Sequence, residues 1–252
     1  MIQNNGVFRS ICWICFFSII LASWWYLFKM SQMSGLNVFG QSVRMNMMKM
    51  NAFGTLFPMW SIMMAAMMLP TMVPTLRSYE DLMKSADGTR IGWFGVIMGF
   101  SIVWIAGAAI FALLQLILLK LGLINLLGVL NSLLLASIFL IIVGCFQFTW
   151  IKNTCHAVCH SPFTFFLKNW RLGFSGGFFM GFGLGLYCVG CCWGFMVLGF
   201  VGGTMNLLWM GLATLLMVLE KLPQVGAYLA KPIGVTLVLI GLSIGARAIN
   251  II

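Results

Sequence analysis

Acidic side chains are almost missing from this chain: Glu80, Asp81, Asp87 and Glu220 are the whole complement, against 14 Lys and Arg. Calcium and magnesium cages need several hard oxygen ligands in one place, so such sites are excluded. Histidine is confined to His156 and His160. That shortage leaves no Ser-His-Asp set, and no phosphate-cradling glycine loop follows a strand pattern, so most enzyme classes lack their parts. Proton-coupled transporters usually place an ionisable group at membrane depth. Here three of the acids fall in a connecting loop, and Glu220 beside Lys221 reads as an interfacial pair closing a helix end. Long polar stretches are also absent, so no soluble domain is left over. The basic residues are scattered over connecting segments and form no stripe, which excludes a nucleic-acid-binding face.

What the chain does have is hydrocarbon. It is 62% hydrophobic and 7% charged, with a mean hydropathy of +1.06. Several apolar runs are long enough to cross a bilayer, the signature of an all-α, polytopic transmembrane helical bundle. Spans are expected near Ser10–Phe28, Phe53–Leu76, Ile91–Leu119, Leu126–Phe148, Gly173–Phe200, Thr204–Leu219 and Pro232–Ile249, about seven in all. They form one integral membrane domain over 1–252, with an N-terminal anchor helix and Met-rich loop (1–52) ahead of a helical core (53–252). The first span follows Arg9 as a signal peptide would, but runs into Trp24-Trp25-Tyr26 without a small-residue cleavage site, so it reads as a retained anchor. With seven spans the N-terminal side collects the larger share of Lys and Arg, Lys152 and Lys221 included, which favours a cytoplasmic N-terminus.

Sulfur is abundant, with 20 Met and 8 Cys. In Met59-Trp-Ser-Ile-Met-Met-Ala-Ala-Met-Met-Leu-Pro-Thr-Met72, helical spacing stacks Met59, Met63 and Met67 in one row and Met64, Met68 and Met72 in the next. Thioethers are soft and uncharged, so such ladders suit Cu(I) in a medium hostile to carboxylate. Methionine is also an adaptable core filler, and that reading stands beside the first. Pro70 bends the helix where the ladders end and frees the carbonyl near Ala66. Met45, Met47, Met48 and Met50, interleaved with Arg44, Asn46 and Lys49, form an exposed collecting arm for the same kind of ion, or else an interfacial helix.

Gly173, Gly177, Gly181 and Gly185 line one face of the fifth expected span, a close-packing device. As one straight helix that segment would run about 42 Å against about 30 Å of hydrocarbon, so a kink or break is expected, placed at Tyr187–Trp193. There Cys188, Cys191 and Cys192 share a face, with Met196 one turn further on. Thiolates are the strongest soft-metal ligands a protein has, although free cysteine also packs well in apolar surroundings. A third cluster lies in the connecting segment after the fourth span, where Cys155 and Cys159, and His156 and His160, each repeat at four residues. The topology places it in the cytoplasm, where thiols stay reduced, so a transfer or redox site fits better than a structural disulfide. Cys12, Cys15 and Cys145 stand in apolar spans and read as packing.

In order along the chain stand Met63-Met-Ala-Ala-Met-Met-Leu-Pro-Thr-Met-Val-Pro74, Gln147 to Pro162, Gly190-Cys-Cys-Trp-Gly-Phe-Met196, Gly203-Thr-Met-Asn-Leu-Leu-Trp-Met210 and Glu220-Lys221. From Phe53 onward this succession resembles a bacterial family of predicted metal-binding integral membrane proteins. One departure is His160, where arginine is expected after the second cysteine of its motif. The resemblance implies an inner-membrane protein with a metal site and no assigned reaction. The expectation that follows is binding and transport, or handing over, of Cu(I): Met45–Met50 collect, Met63–Met68 and Cys188–Met196 relay, and Cys155–His160 receive. Its partners are the lipid bilayer, a soft metal ion, and a membrane protein partner or second copy, with no nucleic acid and no catalytic set. Two other classes remain open, an accessory or assembly subunit of a membrane complex and a membrane thiol-disulfide redox protein.

Overall fold

Proline and capping residues punctuate an otherwise continuous apolar sequence. The computed structural model describes residues 3–33, 52–222 and 225–251, and every regular element among them is helical. Helix α1 is Gln3–Met33 and α2 is Phe53–Met68. Pro70 has no N–H to donate, so α2 gives way to a 3₁₀ turn, Pro70–Met72, before α3, Val73–Ser85. Thr89 caps α4, Arg90–Lys120, by accepting from the Gly92 amide at 3.2 Å. Then come α5, Leu133–Phe146, and α6, Trp150–His160, bent 63° from each other. They are followed by α7, Pro162–Asn169; α8, Gly173–Val197; and the single turn α9, Gly199–Gly202. Asn206 caps α10, Leu207–Lys221, and α11 is Gly226–Ile251.

Five segments among the described residues are long and apolar enough to cross a membrane, and the bent α5–α6 pair makes a sixth. The sixth expected span is α10, which at 15 residues reaches about 22 Å and cannot traverse the hydrocarbon alone. The glycine-rich span is interrupted only at Leu198, beyond the expected place, and continues as one span to Gly202. Tyr187–Trp193 is unbroken helix. Likewise Lys152–His160 is the helix α6 and not a connecting loop.

The α4–α8 pair is the backbone of the bundle. A Cβ on Gly177 would run into the Gly92 carbonyl, and one on Gly181 into that of Val96. Gly95 and Gly99 give the same close approach from α4 onto Phe174 and Phe178. Three of the four predicted ladder glycines thus face α4. Gly173 instead opens α8 in a left-handed conformation, φ 77°, with nothing near its would-be Cβ. The two helices run parallel, and Gly185 packs on Val103. Cys188, one turn on, therefore lies close to the midpoint of the 31-residue α4.

At the Arg90 end of this pair, the buried Glu80 pairs with Arg9 and Arg90 and accepts from the Trp13 indole, tying α1, α3 and α4 together. At the opposite end the Leu130 amide donates to the Phe200 carbonyl and α5 begins. Helix α11 returns antiparallel along α5, with Gly234 and Val238 against Gly144 and Gly241 bonded to Ser137. The carbonyl that Pro70 was expected to release is taken by the Trp24 indole, which donates to Ala66 O at 3.0 Å.

Candidate copper site

The side chains of α6, α8 and α10 converge at mid-height of the bundle. Helical spacing puts Cys188, Cys191 and Cys192 on one face of α8, all three buried, with sulfurs lying within 4.8 Å of one another. Cys191 Sγ is 3.3 Å from Cys192 Sγ and 3.7 Å from Cys159 Sγ of α6, so a fourth buried thiol joins the set. The Cys191 thiol also donates to Cys188 O at 3.2 Å.

Charge comes to this sulfur cluster from residues expected at the surface. Lys221 Nζ donates to Cys188 Sγ at 2.9 Å and to Thr71 Oγ1 at 2.8 Å, and Thr71 in turn donates to Met68 O. Lys152 Nζ donates to Cys191 O at 2.9 Å and forms an ion pair with Glu220 Oε2 at 2.7 Å. All three charged residues are buried, Lys152 at 1%, Glu220 at 2% and Lys221 at 6% exposure. The interfacial Glu220–Lys221 pair is therefore corrected. Neighbours on a helix point in different directions, so Glu220 meets α6 while Lys221 meets α8. The expectation of no ionisable group at depth falls with it, and Lys152 and Lys221 drop out of the topological charge count.

The α6 cluster divides by function. Cys159 joins the sulfurs, whereas Cys155 is part-exposed and lies against α8 where a Cβ on Gly190 would meet its sulfur at 2.7 Å. The imidazoles cap the C-terminal end of α10: His156 Nε2 is 2.7 Å from Glu220 O and His160 Nε2 is 3.1 Å from Leu222 O. The Glu220 carbonyl lies in the last turn of α10, where carbonyls lack intrahelical donors, while Leu222 O also accepts from the Val225 and Gly226 amides; the two rings stack over this end, 5.5 Å apart. Met63 and Met67 are buried in the core, while Met64 and Met68 line a cavity against α4. Met196 is buried one turn beyond Cys192. Met45, Met47, Met48 and Met50 lie outside the described residues. Cys12 is buried, and Cys15 and Cys145 face outward.

Sequence reasoning missed Lys152, Thr71, Glu220 and Lys221 as parts of this site. One signal was present: Lys152, Cys155, His156 and Cys159 fall at i, i+3, i+4 and i+7, one continuous face of a helix. All four of those side chains meet α8 or α10.

A cluster of buried thiols with no carboxylate among the sulfurs suits a soft monovalent ion. The sequence model of the PpoB2 copper chaperone family matches residues 57–244, well over half of the chain. The chain belongs to that copper chaperone family. The matched region contains α3 to α10 entire, and with them every residue of the sulfur and charge cluster. Family membership and the cysteine cluster together point to copper handling. No curated protein and no solved structure gives a significant match.

Proposed function

We propose that this chain is a multi-pass protein of the bacterial inner membrane that takes Cu(I) as cargo on Cys188, Cys191 and Cys192, with Cys159 as a fourth sulfur, and hands it on. The observation that carries the reading is the close approach of three buried thiols beside the Lys221 ammonium. Charge accounting supports the monovalent ion. Lys152 and Lys221 less Glu220 leave +1 in the buried cluster; Cu(I) with two of the four sulfurs deprotonated and the other two kept as thiols adds −1 and brings it to zero. A closed Zn(II) site on four thiolates would add −2 and leave an uncompensated charge.

In this reading the N-terminus is cytoplasmic, Met45–Met50 collect the ion on the other face, and Cys155 stands at the receiving edge of α6. Burial of Cys159, Cys188, Cys191 and Cys192 means that loading and release require α6 to move against α8. The ladder glycines, one of the two surfaces behind an accessory-subunit role, pack within the chain against α4. Thiol-disulfide exchange is the remaining rival, because Cys159 and Cys191 are neighbours.

Metal content of protein purified anaerobically in detergent tests the proposal. Wild type is expected to carry stoichiometric copper after Cu(I) loading, and the Cys188→Ser/Cys191→Ser/Cys192→Ser variant to lose it. A folded wild type that cannot be loaded, but whose Cys159 and Cys191 cross-link on oxidation, would replace copper transfer with redox chemistry.

A further inference from the structure

Between α2 and α4 lies a cavity of about 230 Å³ whose walls include Met64, Met68, Ser61, Ser101, Phe100 and Trp104. The two thioethers are one helical turn apart on the same row, and both side chains are buried. Trp104 is itself buried, and its indole nitrogen has no hydrogen-bond partner among the described residues. The lining is almost wholly apolar, and the Ser61 hydroxyl is already bonded to Phe57 O, so the thioethers are the cavity's main ligand atoms. The chamber thus offers soft sulfur and aromatic walls, and no fixed anion.

The chamber adjoins the cysteine site through two of its own residues. Lys221 Nζ lies over the Phe100 ring at 6.0 Å from its centroid. The same ammonium donates to Thr71, whose hydroxyl donates to the Met68 carbonyl. A buried positive charge therefore stands between the thioethers and the thiols.

We propose that the Met64–Met68 chamber is a second site for a monovalent soft cation, a thioether holding site divided from the cysteine cluster by Lys221. It takes its cargo, Cu(I), from the function proposed above, but it uses different ligands and is separable from it. Two neutral thioethers are soft donors for Cu(I) or Ag(I) and select against divalent ions, which favour harder or anionic donors; the ion they hold stays uncompensated near Lys221, which weakens its binding. A site of this kind binds more weakly than thiolates, as a station from which an ion must leave requires. Aromatic faces add attraction for a partly dehydrated cation.

Silver titration of the full chain in detergent under anaerobic conditions, with Ag(I) as a redox-inert probe, decides the matter. Beyond silver held by the Met45–Met50 arm, which Met→Leu changes at Met45, Met47, Met48 and Met50 remove, wild type is expected to bind two Ag(I) per chain, one tightly and one at least tenfold more weakly, with part of the tryptophan emission quenched during the weak phase. Met64→Leu/Met68→Leu, a volume-conserving change, should abolish the weak phase and leave the tight one. Trp104→Phe should keep both phases while losing the quench. The Cys188→Ser/Cys191→Ser/Cys192→Ser variant should lose the tight phase alone. An unchanged two-ion isotherm in the methionine variant overturns the proposal. So does a single-ion wild type whose binding vanishes in the cysteine variant, and that result leaves the cysteine site standing. A single-ion wild type that loses binding only in the methionine variant would instead sink the cysteine reading.

Discussion

At the scale of single residues, the buried ion pair Lys152–Glu220 is where the chain has most to lose. Each charge is almost fully removed from water, and Glu220 Oε1 has no hydrogen-bond partner among the described residues. Removing one partner of such a pair leaves an uncompensated charge and typically costs about 3–5 kcal/mol, whereas replacing both by apolar groups is often neutral. Lys152→Met alone is therefore expected to lower the melting temperature in detergent sharply, and Lys152→Met with Glu220→Leu to recover most of the loss. Thermal unfolding of the two variants checks this, and equal destabilisation of both would mean that the pair is not the cause. The double variant also separates fold from function, because it removes the Lys152 contact to Cys191 O while leaving the thiols in place.

At the scale of elements, glycine sets how closely helices meet, and two positions make opposite predictions. Gly181 faces the Val96 carbonyl, which as backbone cannot yield. Gly181→Ala must push α4 and α8 apart, at an expected cost of about 1–3 kcal/mol, read as reduced thermal stability. Gly190 faces only the end of the Cys155 side chain, 2.7 Å from a would-be Cβ. Gly190→Ala is expected to displace Cys155 and loosen α6 with little change in melting temperature. Faster loss of bound Cu(I) to a chelator would be its signature. If copper retention is unchanged there, α6 is not the moving part.

At the scale of the whole molecule, the helices have a definite sense. Arg9 of α1 meets Glu80 at the Arg90 end, while α11 runs along α5 towards the end marked by Phe200. The beginning of α1 and the end of α11 thus lie at opposite ends of the bundle. Reporter fusions at the two termini are expected on opposite faces of the membrane, the N-terminal one in the cytoplasm. Both reporters on one face would contradict this arrangement. Short α10 lets the chain pass from the Phe200 end to mid-height and turn back there, so the C-terminal carbonyls of α10 are delivered to the two histidines of α6.

Composition and periodicity by themselves determined that this is a helical membrane-type bundle, because long apolar runs with few charges have no other stable solution in lipid. The glycine face of α8 and the shared face of Cys188, Cys191 and Cys192 were legible for a similar reason: both are repeats within one helix, and helical geometry converts spacing into direction. What only the tertiary structure decided is everything that depends on two helices at once. Cys159 reaches the cluster, Lys221 faces Cys188, and Lys152 leaves the expected surface to pair with Glu220. No local pattern encodes which charged side chain meets which partner. That is set by the α4–α8 contact and the bend at α5–α6, which bring residues far apart in sequence to one depth.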